Sequence, residues 1–89
     1  MSATNYLACD LGAESGRVML GTLENGRVSL RELHRFPSAM VRVGGTLRWN
    51  VLQIFEELVT GLKLASKEGL PIAGVSTDSW GVDYVLLKN

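Results

Sequence analysis

One stretch of this chain carries a helical repeat, and it stands alone. Val51, Phe55, Leu58, Leu62 and Ala65 recur at spacings of four, three, four and three, which places them on one face of a helix. Both ends are signalled. Asn50 is a good N-cap, Gln53 three residues on makes a capping box, and Trp49 can pack on Ile54 as a hydrophobic staple. Lys63 and Lys67 suit the negative end of the helix dipole, Gly69 suits the C′ position, and Pro71 bars continuation. The expected helix runs from Val51 to Lys67. The segments on either side of it read as strands and turns, so a single crossover helix must organise the fold.

Before the helix, apolar runs from about Tyr6 to Leu11 and from about Arg17 to Leu23 predict two strands. Asn25-Gly26 then favours the φ > 0 conformations of a tight hairpin. A third strand is expected from about Val28 to Arg35. Its alternation slips between Leu30 and Leu33, which predicts a bulge or a frayed edge. Pro37 ends it, and the segment to Gly45 reads as a loop. After the helix, Ile72 to Asp78 reads as a short buried strand, Ser79-Trp80-Gly81 breaks it, and Val82 to Leu87 reads as another. The order βββαββ predicts an α/β fold with a mixed sheet. The strand after the helix should return parallel to the first, by a right-handed crossover. Asp10 and Asp78 would then stand close together at one edge of the sheet.

At 89 residues the chain holds one domain at most. Lys plus Arg equals Asp plus Glu at nine each, so no net field draws in nucleic acid or anionic lipid, and any phosphate recognition must be local. Cys9 is the only cysteine; in an apolar strand it reads as a buried free thiol. The start, Met1 to Asn5, shows no basic segment followed by an apolar one, and no apolar run approaches membrane-spanning length. The expectation is a soluble cytoplasmic protein.

Two constellations carry chemistry. The first is Asp10-Leu11-Gly12-Ala13-Glu14-Ser15-Gly16-Arg17, a carboxylate at a strand end followed by a glycine-flanked polar turn. Hard oxygen ligands suit magnesium, and glycines let backbone N–H groups approach phosphate oxygens. Ser15 adds a hydroxyl and Arg17 a positive fork. The same spacing also serves a plain hairpin. No P-loop Gly-Lys-[Ser/Thr] follows, and the turn leads into a strand, so no helix dipole assists. The second is Asp78-Ser79-Trp80-Gly81-Val82-Asp83-Tyr84. Trp80 offers a flat face to a sugar ring, Gly81 lets a ligand lie against the backbone, and Asp78 or Asp83 could bind hydroxyls. A buried Trp beside a turn glycine fits the same residues, with Tyr84 in the core or on the sheet. His34 stands without a partner at a catalytic or metal-binding spacing and reads as a surface or satisfied structural histidine.

Taken in order, Asp10 to Val18, His34-Arg35-Phe36, Gly45-Thr46-Leu47-Arg48-Trp49-Asn50 and Trp80 to Leu87 resemble the N-terminus of an FGGY-family carbohydrate kinase. The Trp-Gly-Val-Asp stretch points to the branch acting on L-rhamnulose. The resemblance implies a ribonuclease H-like (actin-like ATPase) domain, of which residues 1–89 would be the incomplete N-terminal part. It implies that Gly12, Ala13, Glu14, Ser15, Gly16 and Arg17 contact ATP phosphates and that Asp10 helps hold Mg2+. Gly81 would contact the ketose, with Trp80 and Asp83 shaping its pocket. The family reaction moves the ATP γ-phosphoryl group to a sugar hydroxyl, here the 1-hydroxyl of L-rhamnulose. Two departures stand out. Glu14 fills a slot where a small residue is common; phosphates would repel it, so it should point outward or reach the metal. The family's catalytic base lies far downstream, so this chain alone is expected to be inactive. A non-enzymatic nucleotide-binding or interaction module of actin-like fold is the alternative.

Overall fold

The computed structural model describes residues 3–81 and 86–88. Strand β1 spans Thr4–Leu11, β2 Ser15–Glu24 and β3 Arg27–Pro37; a short hairpin follows, β4 at Met40–Val43 and β5 at Thr46–Trp49. Helix α1 covers Val51–Ser66, and β6 covers Ile72–Asp78. The main sheet has the order β3-β2-β1-β6. Neighbours β1–β2 and β2–β3 are antiparallel, and β6 runs parallel to β1 as the single crossover helix demanded.

Local chemistry explains the turns. Asn25 and Gly26 both take positive φ, 53° and 73°, as a two-residue hairpin turn requires. In β3 the pairing shifts from Met19↔Glu32 to Val18↔His34, which leaves Leu33 as an extra residue and makes the expected bulge real. Asn50 caps α1: its side-chain oxygen accepts from Gln53 N at 3.2 Å. The reciprocal half of the capping box is replaced, because Asn50 N donates to Ala39 O at 2.8 Å. The ring of Trp49, expected to pack on Ile54, stacks on Trp80.

Helix α1 covers one face of the sheet. Leu7, Cys9, Val18, Leu20 and Phe36 are buried beneath it, facing Ile54 and Ala65. The buried stripe of the helix is Ile54, Gly61 and Ala65; of the expected Val51-Phe55-Leu58-Leu62-Ala65 face, Ala65 alone is fully buried and Leu58 is half-buried. Val51 and Phe55 are each 60% exposed. Close approach decides the matter: a Cβ on Gly61 would lie 2.3 Å from Val18 Cγ2, so the helix docks where only glycine fits. Apolar residues lie on more than one side of this helix, and the one with the glycine wins.

One other expectation is corrected, and one lies largely outside the described residues. The segment read as a loop to Gly45 forms the β4–β5 hairpin, because Gly44 and Gly45 supply two consecutive positive φ values, 56° and 80°. The expected strand from Val82 to Leu87 falls largely on residues 82–85, outside the described residues; Leu86 and Leu87 are exposed and in no strand. The sheet's second face carries no helix among the described residues and leaves Tyr6, Leu23, Val28 and Leu30 exposed. The Cα radius of gyration, 15.4 Å, accordingly exceeds the roughly 12 Å of a compact chain this long.

Candidate functional site

Directly paired residues project on the same side of a sheet. Asp10 pairs with Arg17 on β2 and with Asp78 on β6, so these three side chains share the helix-free face. With Ala8, Met19, Leu30 and Ser76, the two aspartates line a shallow cavity of about 310 Å³. The expected meeting of Asp10 and Asp78 is thus present, at the C-terminal ends of two parallel strands.

Arg17 Nη1 donates to Asp10 Oδ2, while Arg17 Nη2 donates to Ser15 Oγ at 2.9 Å and Ser15 O at 3.3 Å. Arg17 Nε is buried without a partner among the described residues. Asp10 remains 47% exposed on its side chain against 23% for Arg17. The carboxylate is held from one side and open on the other.

The turn between β1 and β2 is closed by Gly12 N donating to Ser15 O at 3.0 Å. Gly12 N–H is therefore spent within the turn, and Gly16 lies in the ladder opposite Leu11 and Phe36. The exposed part of the turn is Ala13 and Glu14. Glu14 makes no ion pair among the described residues, and its carbonyl accepts from Ser38 N at 2.9 Å. Gly16 has a packing role that sequence reasoning missed: a Cβ there would meet the Phe36 ring at 2.4 Å.

The end of β3 and the small hairpin buttress this turn. Ser38 Oγ donates to Gly12 O at 2.7 Å, and Arg35 Nη1 donates to Ser15 Oγ at 3.3 Å. Trp49, at the hairpin base, stacks on Trp80 with ring centroids 4.3 Å apart and planes within 9°. One face of Trp80 is therefore occupied by Trp49, and Trp80 Nε1 is buried without a partner among the described residues. Gly81 borders open space. Asp83, expected at the sugar pocket, lies outside the described residues.

His34, read as structural, has a partner that the sequence did not reveal. Its Nε2 lies 3.1 Å from Glu57 Oε1 on α1, and its ring tilts against Phe36 at 5.7 Å. Cys9 is buried and free as expected; burial pushes its thiol pKa up, and a hydrogen bond with Thr77 partly opposes this. No cluster of three metal-ligating side chains occurs among the described residues, so Asp10 and Asp78 are the acidic pair available at this end of the sheet.

No family model matches the chain. Curated relatives do. It is 43% identical over 83 residues to a rhamnulokinase of Bacteroides thetaiotaomicron, covering 93% of this chain and 17% of that protein. A rhamnulokinase of Mannheimia succiniciproducens is 44% identical over 89 residues, 98% of this chain and 18% of the relative. One from Klebsiella pneumoniae is 43% identical over 89 residues with the same coverage. The chain belongs with the rhamnulokinases. It matches their N-terminal portion and spans under a fifth of their length. The likeness to rhamnulokinases extends through both constellations, since it covers nearly the whole chain. No helix among the described residues is long and apolar enough to cross a membrane.

Proposed function

We propose that this chain forms the phosphate-side wall of an ATP-dependent sugar kinase that phosphorylates the 1-hydroxyl of L-rhamnulose. The observation that carries the reading is the convergence, on one open sheet end, of Asp10, Asp78 and the Gly12–Arg17 turn. In a ribonuclease H-like (actin-like) domain, that end would face the nucleotide. The exposed amides of Ala13 and Glu14 would meet phosphate oxygens, with Ser15 and Arg17 donating beside them. Mg2+ fits Asp10 through water, because one carboxylate oxygen is tied to Arg17 and Asp78 stands next to it. Bound there, the ion would neutralise phosphate charge. Gly81, which borders open space, and the side of Trp80 away from Trp49 would approach the ketose, with Asp83 completing the pocket.

Phosphoryl transfer needs several positioned parts at once. Neither Asp78 nor Asp83 serves as the base in this reading, so these 89 residues alone transfer no phosphate. Calorimetric titration with ATP–Mg2+ and with L-rhamnulose tests the proposal. Binding of both ligands, with other ketoses binding more weakly, is expected. Nucleotide binding without any sugar binding would point instead to a non-enzymatic module, and binding of neither would reject the site.

A further inference from the structure

The bulge at Leu33 brings Arg35, not His34, opposite Arg17. Two guanidinium groups on adjacent strands repel one another unless something holds them. Here Asp10 holds Arg17, and Glu32 Oε1 holds Arg35 through its Nε at 2.8 Å and Nη2 at 2.7 Å. Between them lies the Ser15 hydroxyl, 2.9 Å from Arg17 Nη2 and 3.3 Å from Arg35 Nη1. Guanidinium nitrogens only donate, so Ser15 Oγ accepts both bonds and uses both lone pairs. The remaining tetrahedral direction belongs to the O–H. That proton has no acceptor among the described residues. Two positive neighbours also polarise it, which makes it a stronger donor.

We propose that Arg35 is a positioning residue for nucleotide binding: with Arg17 it turns the Ser15 hydroxyl into a fixed donor aimed at a phosphate oxygen. The inference rests on reading the turn as phosphate-binding, and it adds β3 to that site. Arg35 acts through Ser15 and does not itself reach the phosphate. Its bond to Glu32 is exposed, so it contributes little to stability and Arg35→Gln leaves the fold in place.

The test is titration of the 89-residue chain with ATP–Mg2+, comparing Arg35→Gln, Ser15→Ala and the double variant, with circular dichroism confirming each fold. Arg35→Gln should weaken binding about tenfold, as should Ser15→Ala, the loss expected for a hydrogen bond to a charged group. In the Ser15→Ala background, Arg35→Gln should change affinity no further. A merely structural or a direct electrostatic role for Arg35 would not give this lack of additivity. Unchanged affinity in Arg35→Gln, or a loss that persists undiminished on Ser15→Ala, overturns the inference while leaving the phosphate reading intact. If the unsubstituted chain binds no nucleotide, the phosphate reading fails and this inference fails with it.

Discussion

Replacing Gly61 by Ala sets two known effects against each other. An interior helix position favours Ala over Gly by about 1 kcal/mol, so helix propensity alone makes the variant more stable. The docking surface opposes this. The new Cβ would sit 2.3 Å from Val18 Cγ2, 2.7 Å from Val18 Cβ and 3.3 Å from Val18 Cγ1. Val18 is fully buried at 0% exposure and branched at Cβ, so no rotamer clears all three contacts. The helix must withdraw by about 1 Å to reach ordinary carbon–carbon separation, loosening Ile54 and Ala65 as it goes. Overpacking of a filled core costs about 1–3 kcal/mol, and the depth of these overlaps argues for the upper end. The expected net loss is about 2 kcal/mol, a fall in Tm on the order of 8–16 °C for a domain of this size. Urea unfolding followed by far-ultraviolet circular dichroism measures it. Val18→Ala with Gly61→Ala makes a useful control, because it removes the overlaps with both Cγ atoms and leaves only the 2.7 Å contact with the Cβ at position 18. The relief is partial, so the double variant should be more stable than the sum of the single losses by about 1 kcal/mol. Additivity within about 0.5 kcal/mol, or a Gly61→Ala variant more stable than the parent, would refute the close-approach argument.

The buried thiol and the helix cap give two further expectations. Burial raises the Cys9 pKa above the ordinary thiol value of 9.0, so its contribution is present below that value and is lost as pH rises through the folded-state pKa. The urea midpoint should therefore fall as pH rises past the ordinary thiol value, and Cys9→Ala should remove that part of the slope; an identical slope in the variant would exclude the thiol as its source. Asn50→Ala deletes the acceptor for Gln53 N and should cost about 1 kcal/mol in the same assay, while the Asn50 N to Ala39 O bond survives.

Features encoded within a few residues could be read from the sequence. Asn25-Gly26 can hardly do other than turn, Asn50 caps the helix, and the irregular spacing of Leu30 and Leu33 marks a real bulge. One crossover helix between strands also left few topologies, so the parallel return of β6 and the pairing of Asp10 with Asp78 followed. Features settled by fit between distant surfaces could not be read. The buried face of α1 depended on Gly61 meeting Val18, 43 positions away in the chain. The β4–β5 hairpin lies exposed and its alternation is short, Val41-Arg42-Val43 and Leu47-Arg48-Trp49, while Gly44-Gly45 between them suits the end of a loop as well as a tight turn. At the site, the Asp10–Arg17 turn was legible as chemistry, but its support was not. Arg35 on Ser15, Ser38 on the turn carbonyl and Trp49 on Trp80 each join residues far apart in sequence.

The extra residue in β3 has a consequence for how this chain tolerates change. Upstream of Leu33, the strand's outward positions Val28, Leu30 and Glu32 share a face with Leu23, Gly21 and Met19; downstream, Arg35 takes that face and His34 and Phe36 turn toward the helix. Substitutions in the first half leave the second half in register, so the open surface and the site wall can vary independently. The effect of losing one residue between the Asn25-Gly26 turn and Arg35 depends on which residue goes. Loss of Leu33 itself would close the bulge and leave His34, Arg35 and Phe36 opposite Val18, Arg17 and Gly16, whereas loss of a residue nearer the turn would also turn the residues between it and the bulge onto the other face. The strand is a splice between two surfaces, and the place where they join can lose its one extra residue without moving either.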